Sequence, residues 1–123
     1  YGLENFEKTG LCMLTLYNLD YCKKILLLLP YQSHPTQFHK IKKETFFVIF
    51  GKIEIFLDGK KNVIKQGEMI TILPNQTHLF RDISGSGSVI EELSTQSFKE
   101  DSYYLDESIT KNKNRKSFIS LIN

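Results

Sequence analysis

Hydrophobic residues fall along this chain in short runs, and the runs end on glycine, asparagine, aspartate or proline. Residues 24–29 form an aliphatic run stopped by Pro30. Residues 45–50 combine Thr, Phe, Val and Ile, side chains that favour a pleated strand. Gly51-Lys52 turns the chain into residues 53–57, where Glu54 interrupts the apolar side chains with period two. Asp58-Gly59 is the strongest turn signal, because both residues accept positive φ in a tight hairpin. Val63-Ile64, the turn at Gln66-Gly67 and residues 69–73 continue the series. Residues 78–83, a Gly/Ser loop at 84–88 and a run at 89–93 complete it. Strands this short and this regularly interrupted predict an all-β sandwich or small barrel.

At 123 residues the chain fits one domain. A chain of this length buries roughly two thirds of its unfolded surface, enough for a core without staples. The barrel is expected over residues 22–110, with residues 1–21, mixed in character, as an N-terminal extension. Tyr103-Tyr104-Leu105 is expected across a barrel mouth or as an edge strand. The basic stretch 111–116 reads as a solvated linker, within a C-terminal tail or last edge strand at 111–123. Opening on Tyr1 rather than methionine reads as processing, trimming or excision from a longer chain.

Sixteen basic and fourteen acidic residues give a net charge of +2, too balanced to imply nucleic acid or a membrane surface as partner. The longest aliphatic run, 25–29, is far below the roughly 18–20 residues that span a bilayer, and no secretory signal precedes it. Cys12 and Cys22 form neither a disulfide framework nor a CxxC metal knuckle, so a reducing, cytoplasmic setting is expected.

The chemistry concentrates in Gln37, His39, Glu44 and His78. Residues two apart on a strand face the same way, so Gln37 and His39 both point into a barrel. Glu44 opens the next strand, and His78 arrives from a separate hairpin to close the group. Two imidazoles, a carboxylate and an amide oxygen suit a divalent transition metal (Mn, Fe, Ni, Co or Zn) and leave room for water or substrate. Gln37 is the weakest donor: a neutral amide binds metal less strongly than imidazole, and a hydrogen bond to a bound water is its alternative. His34, beside Pro35, is expected at the pocket rim, replacing Gln37 only if the strand register slips.

This spacing resembles the cupin superfamily. In its first motif, glycine precedes two histidines one apart, then a glutamate and a glycine. His39, Glu44 and Gly51 match the second histidine, the glutamate and the closing glycine, and Gln37 stands where the first histidine is usual. The second motif resembles Gly67-Glu68, Leu73-Pro74-Asn75 and His78. Here Leu73 replaces a usual proline, Asn75 a usual glycine, and Asp82 a frequent asparagine. The likeness covers residues 22–93. It implies a single-domain jelly-roll barrel, the double-stranded β-helix, with His39, Glu44 and His78 as metal ligands and Gln37 at the place of the fourth. The segments His34-Pro-Thr-Gln-Phe-His-Lys-Ile-Lys-Lys-Glu-Thr-Phe, Glu91-Glu-Leu-Ser-Thr and Asp101-Ser-Tyr-Tyr-Leu-Asp look like small cupins related to D-lyxose isomerases. Similar domains accompany sialic-acid-type synthases.

That likeness implies a sugar or sugar phosphate as ligand and metal-dependent aldose–ketose isomerisation in surface-carbohydrate biosynthesis. A non-catalytic sugar-binding or regulatory domain of a larger enzyme is the competing reading, favoured by Gln37. In such an isomerisation a metal polarises the carbonyl while a base moves a proton between neighbouring carbons. Glu44 serves as that base only if it is not a tight ligand. Among Glu54, Asp82, Glu91 and Glu92 the favoured base is Glu92, in a late strand amid apolar neighbours. Lys40, Lys42 and Lys43 beside His39, and Arg81 after His78, are placed to attract a phosphate or carboxylate. Lys42-Lys43 reads equally as a solvated turn, leaving Arg81, Lys40 and Gln37 as the candidate substrate contacts. Barrels of this kind pair through edge strands, so a homodimer is expected.

Overall fold

A computed structural model describes residues 5–106, so the expected tail at 111–123 lies outside the described residues. The strands are β1 (Cys12–Asn18), β2 (Tyr21–Leu28), β3 (Ser33–Phe38), β4 (Glu44–Phe50), β5 (Lys52–Leu57), β6 (Lys60–Lys65), β7 (Met69–Ile72), β8 (His78–Asp82), β9 (Ser88–Thr95) and β10 (Tyr103–Tyr104). A 3-10 turn at Lys99–Asp101 precedes β10. Two five-stranded sheets result, ordered β1-β2-β9-β4-β7 and β10-β3-β8-β5-β6, with the named strands paired antiparallel. The fold is all-β, and among the described residues no helix is long and apolar enough to cross a membrane. The segment read as an N-terminal extension contributes β1, a full strand paired with β2.

Period-two alternation decides what each strand turns inward. Leu26 and Leu28 of β2, Phe46 and Val48 of β4, Ile53 and Ile55 of β5, Phe80 of β8 and Ile90 of β9 form the core, joined by Ile64 and Ile72. The same alternation carries polar groups inward at one end. Beyond Phe46 on the inner face lies Glu44, beyond Phe80 lies His78, beyond Ile90 lies Glu92, and beyond Leu26 lies Lys24, all buried. Register aligns them: Lys24 faces Glu92 across β2 and β9, and Gln37 faces His78 across β3 and β8. The barrel therefore has an apolar middle and a polar layer at one end.

Each end of the barrel has its own backbone device, the Asp58-Gly59 hairpin at the polar end and Gly51 at the opposite end. Asp58 (φ 48°) and Gly59 (φ 82°) make a two-residue hairpin between paired Leu57 and Lys60. The Asp58 carboxylate accepts hydrogen bonds from Thr77 N at 2.9 Å and Thr77 Oγ1 at 3.2 Å, pinning the hairpin just ahead of His78. At Gly51 (φ 91°) a Cβ would run into Ser88 Oγ and come within 2.7 Å of Gly87 O, so only glycine fits between β4 and β5.

Candidate metal centre

β3 reaches the site through an irregularity. Uninterrupted alternation from His34 would turn Thr36 and Phe38 inward, but the register with β8 shifts between His34 and Gln37. The inward set thus becomes His34, Gln37 and His39, with Thr36 and Phe38 less buried. His34 stacks on Phe80 with ring centroids 5.1 Å apart and inclines to Tyr104 at 5.9 Å. It lies inside the barrel together with Gln37 rather than at the rim or in its place.

His39, Glu44 and His78 offer one ligand atom each within 4.8 Å of one another, and all three are buried. Glu44 Oε2 lies 3.2 Å from His39 Nε2 and 3.4 Å from His78 Nε2. These atoms are close without being aligned as hydrogen bonds: His39 Nε2, His78 Nε2, Glu44 Oε2 and Gln37 Oε1 are each buried with no hydrogen-bond partner. Orphaned buried polar atoms are costly, and three of these, on His39, Glu44 and His78, lie within 4.8 Å of one another and point to a missing common partner. The opposite ring nitrogens explain their state. His39 Nδ1 is 2.9 Å from Asp101 O, and His78 Nδ1 is 3.2 Å from Gln76 O. Each Nδ1–H donates to a carbonyl, which leaves the Nε2 lone pair free for a cation.

Charge agrees with that state. Burial pushes the Glu44 carboxyl up, but the Lys42 ammonium opposes it, and the group is held well below the usual carboxylate range. Burial lowers His78 below its ordinary value despite the opposing pull of Glu44, which keeps the imidazole neutral. An ionised carboxylate, two imidazoles with free Nε2 and an amide oxygen fit a divalent cation.

Lys42 adds what the sequence reading missed. Its side chain is buried, with Nζ 3.1 Å from Glu92 Oε2 and 3.4 Å from Glu44 Oε1. Burial alone would lower its pKa, but the carboxylates of Glu44 and Glu92 hold it above the ordinary lysine value. It is no solvated turn. The signal was available: Lys42, Glu44, Phe46 and Val48 are spaced by two and all turn inward. Lys24 is also buried, its Nζ 3.0 Å from Ser97 Oγ.

Glu92 joins the cluster through Lys42, whereas the other candidate carboxylates lie elsewhere. Glu91 pairs with Lys23 at 3.4 Å on the outer face, Glu54 pairs with Arg81 at 3.3 Å, and Asp82 sits at the far end of β8. Arg81 corrects an expectation: an odd step from His78 and Phe80, it turns away from the inner face and cannot meet a ligand beside them. Lys40 is exposed, its ammonium 4.6 Å from the Tyr103 ring centroid, and does not join the cluster.

A jelly-roll barrel with a His–Glu–His cluster at one end of its inner face defines the class, and the chain belongs to it: the cupin domain family matches residues 25–90. Among curated relatives, the D-lyxose/D-mannose isomerase of Thermosediminibacter oceani is 30% identical, the match covering 86% of this chain and 74% of that protein. The D-lyxose ketol-isomerase of Cohnella laeviribosi is 28% identical, over 86% of this chain and 73% of that one. Among solved structures, ligand-free L-ribose isomerase of Cellulomonas parahominis superposes with a TM-score of 0.80 at 16% identity, covering 93% of this chain and 77% of its own.

Proposed function

We propose that this protein is a metal-dependent isomerase that interconverts an aldose and a ketose, as the free sugar or its phosphate. The convergence of three orphaned, buried donor atoms, on His39, Glu44 and His78, beside the Lys42–Glu92 pair carries this reading. The named activities of the two curated relatives support it. His39, Glu44 and His78 would hold the cation, with the amide oxygen of Gln37 as a fourth donor. When bound, the cation supplies positive charge that polarises a carbonyl and stabilises oxygen charge in the transition state.

The chain's own groups divide the remaining work. Glu44, ionised and clamped between two imidazoles and an ammonium, is committed as a ligand and is not free to act as a base. Glu92 takes the proton from the carbon beside the carbonyl and returns it to the former carbonyl carbon, while the hydroxyl proton of the first carbon passes to the former carbonyl oxygen, so the proton count is unchanged over the cycle. Lys42, which holds its proton tightly, acts as a fixed positive charge that orients both carboxylates. Surface-carbohydrate biosynthesis is the setting suggested by the resemblance to sialic-acid-type synthase domains. A homodimer is the assembly we infer, supported by an apolar outer sheet face.

The competing reading, a sugar-binding domain without turnover, is favoured by Gln37 in place of a third imidazole. One experiment separates them: elemental analysis of protein purified without added metal, followed by assay on a panel of aldoses and ketoses with and without phosphate. Near one metal per chain is expected, lost in His39→Ala and His78→Ala. Glu92→Gln should keep the metal and lose turnover by roughly a hundredfold or more. Metal retention with no conversion of any sugar by the unaltered protein would decide for the binding domain.

A further inference from the structure

We propose that Asp101 is a positioning residue for this centre, holding the β3–β4 loop so that His39, Lys42 and Glu44 converge. The inference rests on the metal-dependent reading above. Residues 39–43 form that loop, which begins with a ligand and delivers the buried ammonium and the second ligand at its end. Its backbone N–H groups need partners, and Asp101 provides those of Lys40, Ile41 and Lys42, while Thr95 Oγ1 accepts from Lys43 N. Oδ1 accepts from Lys40 N at 2.9 Å and Ile41 N at 3.2 Å, and Oδ2 accepts from Lys42 N at 3.0 Å and Ile41 N at 3.2 Å. The carbonyl of the same residue takes the His39 Nδ1 proton at 2.9 Å. One buried aspartate thus fixes both the path of the loop and the orientation of its imidazole.

Asp101 lies in the Lys99–Asp101 turn, beyond the residues matched by the cupin family model. The staple is supplied by the segment that follows the barrel's last long strand. The neighbouring contacts reinforce it: Tyr103 stacks on Phe38 with centroids 5.2 Å apart, and Lys40 lies over Tyr103. Among the described residues, the hydrogen bonds of the Asp101 carboxylate go to backbone amides of the loop, so its influence on the ligands is exerted through the main chain.

The test is calorimetric titration of the metal-free full chain with Mn2+, and the visible spectrum of the Co2+-loaded protein, for Asp101→Ala and Asp101→Asn. Asp101→Ala should weaken metal binding roughly 10- to 100-fold, the range seen when outer partners of metal ligands are removed. Asp101→Asn should fall between it and the unaltered protein. It keeps one acceptor oxygen for Lys40 and Ile41 but turns an NH2 on the Lys42 N–H. The Co2+ spectrum should change in both. Asp82→Asn is the control, since Asp82 also gathers backbone N–H groups, but at the opposite end of β8 from His78. It should lower the melting temperature and leave the metal affinity unchanged. Unaltered affinity and spectrum in Asp101→Ala would overturn the proposal, as would an equal loss of affinity in Asp82→Asn. If the unaltered protein takes up neither Mn2+ nor Co2+, the metal reading falls and the proposal with it.

Discussion

The residue that sets this site apart is Gln37. Its Nε2 lies 3.4 Å from His34 Nδ1, while its Oε1 is buried with no partner. A neutral amide oxygen is a harder and weaker donor than the imidazole usual at this place in the cupin pattern. On the metal-dependent reading proposed above, exchanging an imidazole for an amide oxygen would cost Ni2+ and Zn2+ more affinity than Mn2+. Gln37→His should restore the third imidazole and tighten Ni2+ and Zn2+ by roughly tenfold, with a much smaller gain for Mn2+. Competitive titration against a chelating dye would read this directly. Weaker binding of all three ions would mean that Oε1 is not aimed at the cation.

Among the elements, β8 shows how one strand serves two ends of the barrel, with His78 in the polar layer and Asp82 at the other extremity. Asp82 accepts from the amides of Tyr31, Ser84, Gly85 and Gly87 and from the hydroxyls of Ser84 and Ser88, each hydroxyl at 2.6 Å. Burial raises its pKa, but the Ser84 and Ser88 hydroxyls and the amides of Tyr31 and Ser84 prevail and bring it to about 2, from 3.8. A carboxyl whose pKa is depressed by folding stabilises fully above the unfolded value. That contribution, on the order of 2 kcal/mol, is lost as pH falls toward 2. Asp82→Asn should therefore lower the melting temperature at pH 7 by roughly 5–10 °C. The gap between variant and unaltered protein should close as pH drops from about 4 to 2, followed by circular dichroism; a gap that widened would contradict the assignment. The runs that gave away β2, β4, β5, β8 and β9 were legible because their inner faces are apolar in the middle and their turns carry Gly or Asp. β1 was hidden because only Thr15 of its seven residues is fully buried, so no alternation shows. His39, Glu44 and His78 were legible as types at a spacing. Arg81 was misplaced because reach along a strand was weighed without its facing. Asp101 was legible only as the first residue of a segment resembling D-lyxose isomerase-like cupins; its role was not, since it acts through hydrogen bonds to a loop some sixty residues away in sequence.

At the scale of the whole molecule, the inner face of the sheet β1-β2-β9-β4-β7 is filled, but its outer face is left largely apolar. Strand register brings Ile25, Glu91, Phe47 and Met69 into one outward row, and Leu27, Val89 and Phe50 into the next. Leu27 is 44% exposed, Phe50 51%, Met69 63% and Leu93 46%. A contiguous apolar face of this kind marks an interaction surface. An ion pair on it, Lys23 with Glu91 at 3.4 Å, suits a two-fold axis, because each copy presents both signs to the other. Edge-to-edge pairing is the poorer route on the opposite sheet. Its edge strand β6 carries Lys60, Lys61 and Lys65, charges that repel a second copy of the same strand. On the dimeric reading proposed above, this face rather than an edge would carry the contact. Light scattering behind size exclusion should give twice the chain mass for the unaltered protein. Leu27→Glu combined with Met69→Glu should give the single chain mass while leaving metal content intact, because neither side chain reaches the inner face. A unaltered protein that runs as one chain at high micromolar concentration would rule the face out as a dimer interface.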